Sequence, residues 1–283
     1  MRENKKRNRM TYLILALIIL VPILILLCFT DNKHIDFSSY DINYKNDATQ
    51  IKILHLSDMH FPKCEVDLDL ILNKIEEDSI DIIAITGDLI DSSAEVLSCG
   101  VIPFLVKLNK YSNIYYVCGN HEIRHKEYLI LKEHLENNNI KVLENSFEEI
   151  DIKGQRISIM GLVDGQDYST NYFEGLDSDT YKVLLAHRPE KFDNYTSASS
   201  EYNPDLILSG HAHGGQVRIG KLALVAPNQG LNPKFTSGIY SSDNGNINMV
   251  VSRGIGNSVL PLRINDKPHI PIISIYLQIF WLM

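Results

Sequence analysis

The sequence predicts an α/β domain preceded by one transmembrane helix. Three observations carry that expectation. Basic residues precede a long apolar run at the N-terminus; short β-branched runs then alternate with helix-like stretches; after residue 140 the pattern changes to short strands separated by turns.

The N-terminal element is Tyr12 to Phe29, eighteen uncharged and almost wholly apolar residues with Pro22 as the one helix breaker. At about 1.5 Å per residue such a helix just crosses a hydrocarbon core of about 30 Å if flanking residues snorkel. The rival readings are a cleaved signal peptide and a buried core helix. Leu27-Cys28-Phe29 offers no small residue but the cysteine, and no paired arginines lie upstream, so an uncleaved anchor is favoured over an exported, processed chain. Arg2, Lys5, Lys6, Arg7 and Arg9 against Glu3 leave +4 in the first eleven residues; the net charge of -8 then leaves -12 on the remainder. Positive charge stays on the cytoplasmic side, which places the body outside the cytoplasm. An acidic body also excludes nucleic-acid binding by charge alone.

The segment 30–50 reads as a stalk, with Ile35 to Tyr44 as an alternative edge strand. Five apolar runs then read as buried strands: Ile51 to Leu56, Ile80 to Ile85, Ile114 to Val117, Val183 to Ala186 and Leu206 to Leu208. Helical spacing marks Val66 to Ile75 and Tyr128 to Leu135, whereas Gly100 and Pro103 interrupt Val96 to Leu108. Strands alternating with helices imply parallel pairing with both faces covered. From Lys141 to Met160, with a turn at Lys153-Gly154, and again from Gln216 to Val251, short strands imply a second, partly antiparallel sheet. Cys64, Cys99 and Cys118 remain outside the apolar run; their spacing suggests neither a disulfide framework nor a zinc ribbon.

The chemistry lies immediately after those five runs. There stand Asp58-Met59-His60, Gly87-Asp88-Leu89-Ile90-Asp91, Gly119-Asn120-His121-Glu122, His187, and Gly210-His211-Ala212-His213-Gly214-Gly215-Gln216. Ligands of open α/β sheets bind beyond the carboxyl ends of the strands, so all five groups are delivered to one rim. Asp58 and His60 are two apart, as are His211 and His213, a spacing that aims both side chains one way from an extended backbone. Carboxylates, imidazoles and an Asn carbonyl form a mixed N/O donor set without thiolate, suited to manganese, iron or zinc. Each short motif alone matches by accident; their order, each after an apolar run, carries the signal.

That ordered set resembles the calcineurin-like metallophosphoesterase signature, over about Ile51 to Ile219. Gly210 to Gln216, with Ser252 to Gly256 and Pro261 to Arg263, is similar to a membrane-associated bacterial branch that contains UDP-2,3-diacylglucosamine hydrolases. The resemblance implies a β-sandwich of two mixed sheets flanked by helices and two divalent metal ions. It implies that Asp58, His60 and His213 hold one ion and Asn120, His187 and His211 the other, with Asp88 bridging. His121 would act as a catalytic acid without binding metal, and Asp91 would fix its tautomer. The implied activity is phosphodiesterase or pyrophosphatase chemistry on a lipid-linked or nucleotide-containing phosphoester. A phosphomonoester or phosphoprotein phosphatase is the alternative, weakened because Ser92 and Ser93 follow Asp91 where such phosphatases carry an Arg. A non-catalytic, metal-stabilised ectodomain is a third reading. The resulting organisation is a basic segment 1–11, an anchor 12–29, a stalk or edge strand 30–50, the phosphoesterase domain 51–275 and an apolar tail 276–283.

Other tempting residues have plainer readings. His55 is expected to be a hydrogen-bonded core residue and Cys118 a small buried hydrophobe, with His125 and His134 solvated on a helix-like stretch. Arg188 is expected in a surface ion pair, Asp164 in a turn or at the substrate cleft. Phe280 and Trp281 belong to a frayed tail or touch a membrane surface.

Overall fold

The computed structural model describes residues 9–22, 33–43, 45, 48–197, 202–220, 222–257 and 263–278. Residues 9–22 are helical (α1). Among the described residues no helix is long and apolar enough to cross a membrane. The remainder of the apolar run, 23–29, lies outside them, as do Phe280 and Trp281.

The chain continues through β1 (Asp36–Ile42), β2 (Thr49–Leu56), α2 (Asp69–Asp78), β3 (Ile82–Ile85), α3 (Val101–Leu108), β4 (Asn113–Tyr116), α4 (Asn120–Ile123), α5 (Tyr128–Asn137) and β5 (Lys141–Val142). It then forms β6 (Ser146–Ile152), β7 (Gln155–Gly161), β8 (Tyr181–Leu185), α6 (Phe192–Thr196) and β9 (Leu206–Ser209). Four two-residue strands follow, β10 (Arg218–Ile219), β11 (Leu222–Ala223), β12 (Val225–Ala226) and β13 (Gly230–Leu231), then β14 (Gly238–Ser241), β15 (Asn248–Val251) and β16 (His269–Leu277).

Two six-stranded sheets result, in the orders β1-β16-β2-β3-β4-β5 and β14-β15-β9-β8-β7-β6. Both are mixed. In the first, β2 to β5 run parallel and β16 is antiparallel to β2; in the second, β15, β9, β8 and β7 run parallel between antiparallel edges. Ile51, Ile53, Ile82 and Val117 from the first sheet meet Ile159, Val183, Leu185 and Leu208 from the second in one apolar layer. The outer face of the first sheet packs on α2, α3 and α5 through Ile71, Ile75, Leu105 and Leu131. Phe173, Phe192 and Tyr195 cover the outer face of the second. Strands buried on both faces explain why their sequences read as continuous apolar runs rather than alternating ones.

Local chemistry sets the element ends. The first helix after β2 starts at Asp69 rather than Val66; just ahead of it the Asp67 carboxylate accepts the Asp69 N–H at 3.0 Å, a local turn that holds 66–68 out of the helix. The helix of 96–108 is confined to α3, which begins directly after Gly100 at φ 90°. Pro103 then falls in the first turn, where its missing N–H costs nothing. Asp36–Ile42 is a strand of the first sheet rather than a stalk, pairing in parallel with β16. The final strand likewise runs through Leu277, past the expected domain end at 275.

Candidate metal centre

The loops following β2, β3, β4, β8 and β9 meet on one rim of the sandwich, as parallel strands require. Their backbones are bent sharply. Asp58, His60, Asp88, His211 and His213 all have φ between 47° and 63°, a left-handed conformation that non-glycine residues rarely adopt. Such strain persists only where the surroundings fix it, and it gathers at functional sites.

Those surroundings are backbone packed against backbone. A Cβ at position 210 would collide with Ser57 Oγ and Asp58 Oδ2, and one at 119 with the Asp88 side chain and backbone. Only glycine allows these loops to come so close. The His211 N–H donates to the Asp58 carboxylate at 3.0 and 3.1 Å, and the Gly256 N–H to the Asp58 carbonyl at 2.7 Å. The segment Ser252 to Gly256 therefore braces the Asp58 loop.

The side chains form clusters that share members. Asp58, His60, Asp88 and His213 offer donor atoms within 4.8 Å of one another; so do Asp88, His187 and His211. Asp88 belongs to both. Its Oδ2 lies 3.4 Å from His187 Nε2 and 3.9 Å from His60 Nε2, while Oδ1 accepts the His121 N–H at 2.9 Å. His60 and His213 bring their Nε2 atoms to 3.2 Å, and His213 Nε2 lies 3.4 Å from Asp58 Oδ1. His211 Nδ1 stands 3.1 Å from His187 Nε2. His187 Nδ1 donates to the Thr86 carbonyl at 2.7 Å, which leaves its Nε2 as the lone-pair atom facing the cluster when the ring is neutral. Asn120 Oδ1 is buried without a hydrogen-bond partner, a costly condition that a cation would relieve.

Electrostatics agree with a site built for positive charge. Burial pushes Asp58 up to about 6, with the Asp88 charge adding to it. Burial lowers His60 to about 4 and takes His213 well below the usual imidazole range, so both present neutral nitrogens. Burial also disfavours charge on His187, yet the Asp88 and Asp58 carboxylates outweigh it and raise that group to about 10. Here a histidine supplies the cation that the two carboxylates attract. The donor set, the orphaned Asn120 oxygen and the two carboxylates fit a pair of divalent ions.

His121 stands beside this cluster, its side chain 25% exposed and its ring edge-on to His60. A third group, His60, Asp91 and His121, overlaps the first at His60. Asp91 Oδ2 is 3.8 Å from His121 Nδ1, close enough for charge attraction but too long for a hydrogen bond. Asp91 is itself held by Lys63 Nζ at 2.8 Å and Ser93 Oγ at 2.6 Å; burial opposes its charge, but these donors keep it well below the usual carboxylate range.

Two contributors had no assigned role in the sequence. Glu122 is fully buried and accepts N–H groups from Asp88 at 2.9 Å, Ile90 at 2.9 Å and Gly119 at 2.8 Å, tying the loops after β3 and β4 together. Burial and the Asp88 charge push it up to about 7, while the Ile90 and Gly119 donors pull it back. Its place at the third position of α4, reaching back to the residue before the helix, was a readable capping signal. Asn228 Nδ2 meets His211 Nε2 at 2.8 Å and Glu190 Oε1 at 3.1 Å from the turn between β12 and β13, a placement no local pattern announces.

Glu122→Gln is expected to lower the unfolding free energy by about 1–3 kcal/mol, because one of its acceptors becomes an N–H donor facing a buried N–H. Chemical denaturation measures this; an unchanged midpoint would mean that other contacts hold the loops.

His55, His125, His134, Cys118 and the Arg188–Asp164 pair can also be placed. His55 is buried and bonded to Thr86 Oγ1 at 2.7 Å, and Cys118 is buried with its thiol raised to about 11 by burial. His134 is half-buried. His125, expected in solvent, is instead buried, its Nε2 3.1 Å from the Ala94 carbonyl and its Nδ1 accepting the Glu127 N–H at 3.1 Å. Arg188 and Asp164 form a two-pronged ion pair at 2.6 and 2.8 Å, linking the loops after β7 and β8.

Sandwich, rim and donor set define a metal-dependent phosphoesterase, and the family model for the calcineurin-like phosphoesterases matches residues 51–215. The chain belongs to that family and is a metallophosphoesterase hydrolase. It is 27% identical to the uncharacterized metallophosphoesterase YkoQ of Bacillus subtilis, over 90% of this chain and 96% of the relative. It is 30% identical to YkuE, another uncharacterized metallophosphoesterase of that organism, over 79% and 78%. Among solved structures, the Haemophilus influenzae NAD nucleotidase NadN shares the fold, with a TM-score of 0.50 at 18% identity, over 75% of this chain and 46% of that one.

Proposed function

We propose that this chain is a binuclear-metal phosphodiesterase or pyrophosphatase, held at the cell membrane by its N-terminal apolar run with the catalytic domain outside the cytoplasm. The observation that carries the catalytic part is Asp88, shared by two donor clusters on one rim. Asp58, His60 and His213 would hold one ion, Asn120, His187 and His211 the other, and Asp88 both. Divalent ions in such a pair lower the pKa of water towards neutrality and take up charge on phosphoryl oxygens. Manganese, iron and zinc suit the donors. His121 would give its proton to the leaving oxygen as the phosphorus–oxygen bond breaks, with the Asp91 carboxylate 3.8 Å from its Nδ1. For the substrate we propose a lipid-linked or nucleotide-containing phosphoester, on the sequence resemblance of Gly210 to Gln216 and Ser252 to Gly256 to the branch containing UDP-2,3-diacylglucosamine hydrolases; the relatives matched above are uncharacterized metallophosphoesterases and show no sign of that branch.

Ser92 and Ser93 follow Asp91, so no Arg from that loop grips a dianionic terminal phosphate. Metal-reconstituted protein is therefore expected to cleave bis-p-nitrophenyl phosphate with a higher kcat/KM than p-nitrophenyl phosphate. A consistent preference for the monoester across the three metals would favour a phosphatase. Membrane placement is tested separately, by adding protease to intact spheroplasts of an expressing bacterium. Removal of the catalytic domain is expected; protection until lysis would put the domain inside.

A further inference from the structure

Beside His121 the rim opens into a cleft of about 380 Å³ lined by Ser92, Asn120, His121, Arg124, His125 and Lys126. Asn120 and Arg124 are four residues apart on one helical turn and its cap, so they stand one above the other on the same face. Asn120 belongs to the metal-bearing loop, and Arg124 sits a turn above it at the mouth.

One cation of this cleft has no carboxylate partner among the described residues and the other is only loosely paired. Arg156, Arg188, Arg253 and Arg263 each have carboxylate partners, whereas Arg124 has none among the described residues. Lys126 reaches Glu127 at 3.6 Å with its own side chain 82% exposed, a contact worth little in water. The segment that carries them is nonetheless fixed. His125 Nε2 lies 3.1 Å from the Ala94 carbonyl, and the Glu127 carboxylate accepts the Val96 N–H at 3.0 Å, pinning residues 125–127 to the loop that bears Ser92. An arginine without a carboxylate partner and a loosely paired lysine, both on a fixed wall, stand out on a body carrying -12.

Their side of the centre is the side of the leaving group. The leaving oxygen must face His121, and whatever that oxygen carries enters this cleft. We propose that Arg124 and Lys126 form a leaving-group subsite that selects esters whose departing group is itself a phosphate, so that diphosphate diesters are the preferred substrates. The proposal rests on the assignment of His121 as the acid. Water supplies one oxygen to the attacked phosphorus, and the bridging phosphorus–oxygen bond breaks. The bridging oxygen leaves with the bonding electron pair, takes the His121 proton and becomes a terminal hydroxyl of the second phosphate monoester; of the two protons of water, one returns to His121 and the other stays with the products or passes to solvent. Arg124 matches a phosphate with its planar fork and Lys126 with a point charge. Ser92 lines the same cleft, whose positive charge therefore comes from the 124–126 segment rather than from the loop after Asp91.

The test compares ADP-ribose, whose departing group is a phosphate, with bis-p-nitrophenyl phosphate, whose departing group is an uncharged phenol or its phenolate. The ratio of kcat/KM for the first over the second is expected to fall 10- to 100-fold in Arg124→Ala/Lys126→Ala, equivalent to about 1.4–2.8 kcal/mol. Arg124→Lys/Lys126→Arg should recover most of it. In the wild type the same ratio should decline with rising salt, because exposed charges are screened within about 10 Å at 0.1 M; this holds even if the double variant folds poorly. An unchanged ratio, or equal losses on both substrates, overturns the subsite. Cleavage of the nitrophenyl diester without any of ADP-ribose overturns it while leaving the phosphodiesterase reading intact; cleavage of neither defeats that reading too.

Discussion

Asp88→Ala is expected to abolish turnover and to leave fewer than two bound metals per chain. The Asp88 carboxylate is the one group common to both donor clusters, and it lies within 4 Å of His60, His121 and His187. Removing it takes away the negative charge that lets two cations sit side by side. It also frees the His121 N–H that Oδ1 accepts at 2.9 Å. Metal-borne charge stabilisation is worth several kcal/mol, so kcat/KM should drop by about 10³-fold or more. Metal analysis beside steady-state kinetics checks both parts. His60→Ala should disturb mainly one site, because His60 belongs to only one of the clusters that contain Asp88. Retention of two tightly bound ions and near-normal turnover by Asp88→Ala would remove the shared carboxylate from the mechanism.

His121→Gln is expected to separate chemistry from metal binding. The ring is partly exposed at the mouth, edge-on to His60, and joins a cluster with His60 and Asp91 rather than the one around His187. Metal content should stay near wild type. General acid catalysis contributes about 10²- to 10⁴-fold, or about 3–5 kcal/mol, and its loss should grow with the basicity of the leaving oxygen. An alkyl alkoxide needs the proton, whereas p-nitrophenolate departs without it. The variant should therefore lose far more on an alkyl diester than on a p-nitrophenyl diester. Equal losses would assign His121 to charge stabilisation of the phosphoryl group, and a missing ion would make it a ligand.

The residues of the centre were legible because parallel strands force legibility. Each strand is buried on both faces and so appears as an unbroken apolar run, and the polar residues that end it must emerge on the common rim. Ile51 to Leu56 thus pointed to Asp58 and His60, Ile80 to Ile85 to Asp88, and Leu206 to Leu208 to His211 and His213. The lone His187 after Val183 to Ala186 was found the same way. The turn at Lys153-Gly154 was equally visible, with both residues at positive φ between β6 and β7.

Periodicity reports which face a residue takes, not which strand lies beside it. That β1 pairs with β16, joining residues more than two hundred positions apart, depended on long-range packing, so the sequence left 36–42 open between a stalk and the edge strand it proves to be. His125 looked solvated because its partner carbonyl, Ala94, belongs to another loop. Tertiary structure alone decided that Glu122 would hold the Asp88 loop, that Asn228 would arrive at His211, and that Arg124 would stand over the cleft beside His121. A strand end fixes where a side chain emerges, but its neighbours across the rim are set by how two sheets and their loops close on each other, information held in no single stretch of chain.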